Sequence, residues 1–108
     1  MKLLTAGLMA LAMAPPPAAR TITGTITDSM CATADHSQMQ MGPTSAECTK
    51  ACVEEHDASF VLFDGKDVYT LSDQRMPAKF AGRKATVTGS VDAKTHTIRV
   101  ASIKSSAP

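Results

Sequence analysis

The three cysteines of this 108-residue chain, Cys31, Cys48 and Cys52, are confined to a short stretch that also holds His36, Met39 and Met41. Asp28, Ser29 and Met30 stand directly before it. Thiolates, imidazoles and thioethers are the side chains that bind soft and borderline metal ions, and their concentration here is hard to ascribe to packing. Cys48 and Cys52 are four residues apart on a predicted helix, so their sulfurs project from one face about one turn apart, as two ligands of one ion would. Cys31 and His36 would join them from the preceding loop. A Cys3His set is a common closed tetrahedral arrangement for zinc, whereas cysteine with methionine favours Cu(I). The expected site is therefore Cys31, His36, Cys48 and Cys52 around one zinc or copper ion.

Other readings of the same residues compete with this one. His56 continues the helical stripe, but at 1.5 Å rise per residue it lies roughly 12 Å along the axis from Cys48, too far to share a tetrahedron. A histidine at the carbonyl end of a helix is favoured by the dipole instead. Met39 and Met41 also suit a plain role filling gaps over a small core. A disulfide from Cys31 to Cys48 or Cys52 would staple the loop to the helix, as small exported domains often require. A Cys48–Cys52 bridge would distort the helix carrying it. Any single bridge leaves an odd thiol, which metal ligation, a mixed disulfide or dimerisation would explain. Thiol redox catalysis is disfavoured by the C-x3-C spacing, which is not the C-x-x-C of a helix N-terminus. The chain has no G-x-S-x-G elbow, H-E-x-x-H helix or glycine-rich phosphate loop, so no enzyme activity is expected. Asp28-Ser29 after a strand reads as a side-chain-capped turn.

The elements that would position these residues are mostly strands. Residues 21–27 alternate strictly, with Ile22, Gly24 and Ile26 on one face and threonines on the other. Residues 60–63 and 68–71 flank Asp64-Gly65-Lys66-Asp67, whose Asp-Gly pair favours a tight hairpin. A short turn around Pro77 to Phe80 leads to a fourth strand over 85–91 and a fifth over 96–103. In the fifth, Ile98 and Val100 share one face while Ala101 and Ile103 share the other, which predicts a bulge or a switch of buried face. The one helix, 45–56, is announced by Pro43 and a Thr44-x-x-Glu47 capping box. These elements predict a mainly β fold: a small five-stranded OB-like barrel with one helix inserted between strands 1 and 2.

Lys2 and the apolar run from Leu3 to Ala14 have the make-up of a signal peptide and are too short to span a bilayer. Residues 1–19 are thus expected to be a signal peptide and proline-rich joint, and residues 20–108 a single barrel domain with a Cys-rich insertion over 28–56. The expected location is the periplasm or outside the cell, with no membrane contact after cleavage. The formal charge of +1 falls to zero once Lys2 is removed, and aromatic residues make up only 4%. Nucleic acid is therefore not an expected partner.

The chain resembles a family of small exported bacterial proteins of unknown function. The matching residues are Gly24, Asp28-Ser29-Met30-Cys31, His36, Cys48-Thr49-Lys50-Ala51-Cys52-Val53, Phe60-Val61-Leu62, Val68-Tyr69-Thr70-Leu71, Ala81-Gly82 and Val87-Thr88-Gly89. They cover nearly the whole chain beyond the leader. Ala32 stands where the family's turn has glycine. The resemblance implies export and a small barrel, and no established activity. Two functions remain open from the sequence: metal binding in a structural or metal-handling role, or a disulfide-stapled binding module without metal whose protein or small-ligand partner is unspecified.

Overall fold

A computed structural model describes residues 19–35 and 44–106. Residues 1–18 of the leader and joint expected over 1–19, together with His36, Met39, Met41 and Pro43, lie outside the described residues, while Ala19 already belongs to the first strand. Five strands, β1 (Ala19–Asp28), β2 (Phe60–Phe63), β3 (Val68–Leu71), β4 (Lys84–Asp92) and β5 (Thr97–Ser105), close into a barrel in the order β1-β2-β3-β5-β4. Neighbours run antiparallel except β3 and β5, which are parallel. Helix α1 (Ser45–His56) lies between β1 and β2, so the expected OB-like barrel with a helix after its first strand is the observed fold. Between β3 and β4, where such barrels usually place their helix, there is only a 3-10 turn, Met76–Phe80, with Pro77 near its start.

Alternation determines which residues fill the barrel. Ile22 and Ile26 point inward with Leu62, Leu71, Val87 and Ile98, all buried. The outward threonines meet across strands, Thr21 with Thr88 at 3.1 Å and Thr23 with Thr86 at 3.0 Å. β1 starts earlier than its alternation suggests, because β4 is long enough to pair Ser90 with Ala19 and Gly89 with Arg20. The expected irregularity in β5 is a bulge: Thr88 faces Ser102 while Gly89 faces Val100, leaving Ala101 as the extra residue. That extra residue lets Val100 and Ile103 both pack against the same core. His96 is not part of β5. It takes a left-handed conformation (φ 51°) in the preceding turn and stacks on Tyr69 with ring centroids 5.8 Å apart.

The Asp64–Asp67 turn forms as its sequence predicts, and a second glycine, Gly82, sets the approach of α1 to the barrel. Asp64 accepts from the backbone N–H groups of Lys66 (2.8 Å) and Asp67 (2.6 Å), and Gly65 takes φ 101°, which only glycine adopts without strain. Gly82 (φ 74°) sits where a side chain would come within 2.8 Å of the Ala46 Cα, so glycine here lets the start of α1 lie directly on the barrel. No helix among the described residues is long and apolar enough to cross a membrane.

Candidate functional site

The site is assembled where β1 ends. Asp28 is wholly buried and caps the one-turn helix Ser29–Cys31, its Oδ2 accepting from the N–H groups of Met30 (3.1 Å) and Cys31 (3.0 Å). This is the capped turn that Asp-Ser after a strand predicts. Thr27, also wholly buried, donates its hydroxyl to the Cys31 carbonyl at 2.8 Å, and the same carbonyl accepts from the Ala34 N–H. Ser29 and Ser59 clasp each other: the Ser29 N–H donates to the Ser59 carbonyl (2.8 Å) and the Ser59 N–H to the Ser29 hydroxyl (3.0 Å). The turn carrying Cys31 is thereby tied to the segment entering β2. Ala32 is in the right-handed helical region, so alanine replaces glycine there without strain; the left-handed residue of the loop is Ala34 (φ 63°).

Helix α1 presents the other two thiols. The Glu47 N–H donates to Thr44 Oγ1 (3.1 Å), so the expected N-cap is formed. Cys48, Thr49 and Cys52 make up its buried face, and Cys48 and Cys52 pack with Ala58 and Val53 in a small cluster beside the barrel core. At the other end Asp57 is left-handed (φ 55°), and the Cys52 carbonyl receives the N–H groups of Asp57 and Ala58. His56 ends the helix exposed to solvent, at the carbonyl end where the dipole favours a histidine.

Cys31, Cys48 and Cys52 are thus all buried and brought to one region, none bridged to another. The Cys31 thiol is in side-chain contact with Cys48. Burial pushes the Cys31 thiol up, and electrostatic interaction with Asp28, Cys48 and Asp35 raises it further. Cys52 is pushed up to about 12, first by burial and then by Asp28 and the other two cysteines. Reactive cysteines sit in electropositive surroundings that lower their pKa, and these thiols sit in the opposite setting. Asp28 couples to Cys52 through charge and a side-chain contact, yet its Oδ1 is buried without a hydrogen bond of good geometry. A thiol is a weak donor, which leaves that oxygen underserved.

The sequence-predicted ligands are therefore placed unequally. Cys31, Cys48 and Cys52 are brought together, while His36 lies outside the described residues. Among the described residues, no three His, Cys, Asp or Glu side chains sit close enough to hold a metal ion as they stand. Sequence reasoning treated Asp28 only as a cap. Comparison with known proteins gave no match: no family model, no curated protein and no solved structure is similar to the chain.

Proposed function

We propose that this is an exported barrel protein that binds one transition-metal ion, zinc or copper, through Cys31, Cys48 and Cys52, in a structural or metal-handling role and not in catalysis. The observation that carries the reading is the gathering of three buried thiols, Cys31, Cys48 and Cys52, beside the buried carboxyl group of Asp28. The charged neighbours acting on the thiols in this region are acids. A bound cation would neutralise that region and deprotonate the thiols that ligate it. The donors must draw together to receive it, and His36 is the fourth ligand that the spacing of the sequence suggests.

The test is a titration of the reduced protein with zinc, and separately with Cu(I), following proton release and competition with a chromophoric chelator. One equivalent should bind with release of protons. Cys31→Ser, Cys48→Ser and Cys52→Ser should each weaken binding about tenfold or more. Serine variants that bind as the wild type does would overturn the reading.

The contact between the Cys31 and Cys48 thiols favours a second reading, a disulfide-stapled binding module without metal. Under that reading the exported protein carries a Cys31–Cys48 bridge, seen in peptide mapping, and binds no ion in the same titration.

A further inference from the structure

An open groove of about 630 Å3 runs between α1 and the 3-10 turn Met76–Phe80, and none of the three cysteines lines it. Its apolar surface comes from Val53, Phe60 and Ala78. Phe60 belongs to the buried barrel core and Val53 and Ala78 pack against that core, so this surface is held in place. Pro77, fully buried, anchors the turn, and the Asp73 carboxylate accepts from the N–H groups of Arg75 (2.8 Å) and Met76 (3.0 Å) at its start. Around the apolar surface stand three exposed cations, Lys50, Arg75 and Lys79, against one lining acid, Glu54. Apolar surface with a few charges in a cavity of this size is the make-up of a small-ligand site. Gln74, which also lines the groove, bears on the kind of ligand. Its Oε1 accepts from the Phe60 N–H (2.7 Å), and its Nε2 donates to the carbonyls of Phe60 (3.1 Å) and Leu71 (2.8 Å). The backbone of Phe60 is thereby occupied by a side chain, and an incoming peptide strand finds no edge there to pair with.

We infer that the groove binds a single-chain amphiphilic anion, its apolar chain laid on Val53, Phe60 and Ala78 and its carboxylate or phosphate head held among Lys50, Arg75 and Lys79. The Arg75 guanidinium is a planar fork that either head can accept bidentately. With three cations to one acid, the lining attracts an anion and repels a cation carrying the same chain. The apolar contacts reward chain length, by up to about fourfold in affinity per methylene while the chain remains in the groove. The inference goes beyond the metal reading and does not rest on it. Helix α1 buries Cys48 and Cys52, whereas Lys50 and Glu54 on the same helix are exposed, so the groove is present whatever the thiols hold.

The test is an amide NMR titration of the full chain, with reductant and chelator present, using decanoate and decyl phosphate below their micelle concentrations. At least one should bind saturably, with the largest shifts at Val53, Phe60 and Ala78 and with affinity that falls as salt rises. The tighter of the two identifies the head. The analogue two methylenes shorter should bind more weakly, and decyltrimethylammonium about tenfold more weakly or less. Arg75→Gln combined with Lys79→Gln changes only exposed side chains and should weaken the anion about fivefold or more, while Lys94→Gln, in the β4–β5 turn and outside the lining, should stay within about twofold of the wild type. No saturable binding of either anion, equal binding of the cationic chain, shifts centred elsewhere, or wild-type affinity in the double variant would overturn the inference. Saturation of the same amides by an acidic hexapeptide of alternating glutamate and leucine, without binding of either anion, would overturn it in favour of a protein partner. Because the chelator removes any metal, none of these outcomes bears on the thiol site.

Discussion

Asp28→Ala, measured with chelator and reductant present so that no ion contributes, isolates what the carboxylate does for the fold. The substitution removes two capping bonds of 3.1 and 3.0 Å from the Ser29–Cys31 turn. Loss of a side-chain cap costs about 1 kcal/mol. The Cys31 N–H is the buried one of the pair, and leaving it without a partner adds roughly 1–2 kcal/mol. Removing Oδ1, which has no hydrogen bond, returns on the order of 1 kcal/mol. The net loss is about 1–2 kcal/mol, which in a domain this small lowers Tm by roughly 5–15 °C. Asp28→Asn keeps an acceptor for both N–H groups and should stay within about 0.5 kcal/mol of the wild type. Urea unfolding of the three proteins, followed by far-UV circular dichroism, reads the order directly. Asp28→Ala as stable as the wild type, or Asp28→Asn as unstable as Asp28→Ala, would refute the capping argument.

Other expectations follow from the same geometry. Gly82→Ala places a side chain against the backbone of Ala46 in a left-handed conformation, costing about 1–2 kcal/mol for the conformation alone, and should loosen α1 enough to speed alkylation of Cys48 and Cys52 in the folded protein. The N–H groups of Asp67 and Lys66 hold the Asp64 carboxyl below its ordinary pKa, and those of Met76 and Arg75 do the same for Asp73. A depressed folded-state pKa gives stability that is present above about pH 4 and lost as pH falls through the folded value, so acid unfolding should be shallower in an Asp64→Asn, Asp73→Asn double variant. Cys52 works in the opposite direction: with its pKa raised from 9.0 to about 12, the metal-free folded state holds a proton that the unfolded chain gives up. Stability should therefore fall as pH rises above about 9, and iodoacetamide should modify Cys52 only slowly at neutral pH.

Much of the fold was legible because its signals are local. Alternation at 21–27 and 85–91, the Asp64-Gly65 turn and the Thr44-x-x-Glu47 cap each express a period or a capping chemistry that a few residues suffice to specify. The β5 bulge was legible for a related reason, since apolar residues on opposite parities of one strand can share a core only if the register slips. The start of β1 and the exclusion of His96 from β5 were not legible. They depend on how far β4 extends as a partner and on the left-handed turn after Asp92, where the Asp92 side chain accepts from Lys94 and Thr95. At the site, residue type and spacing pointed to Cys31, Cys48 and Cys52, but Asp28 carried no signal beyond its capping role. Its burial and the state of its second oxygen arise only when α1 folds back over the end of β1.

The most direct test of the metal-binding account is native mass spectrometry of the protein, expressed from the whole sequence and purified without chelator or reductant. The account predicts a single stoichiometric metal mass that disappears when Cys48 or Cys52 is changed to serine. A metal-free mass two hydrogens below that of the reduced chain would contradict it and point to a Cys31–Cys48 bridge instead.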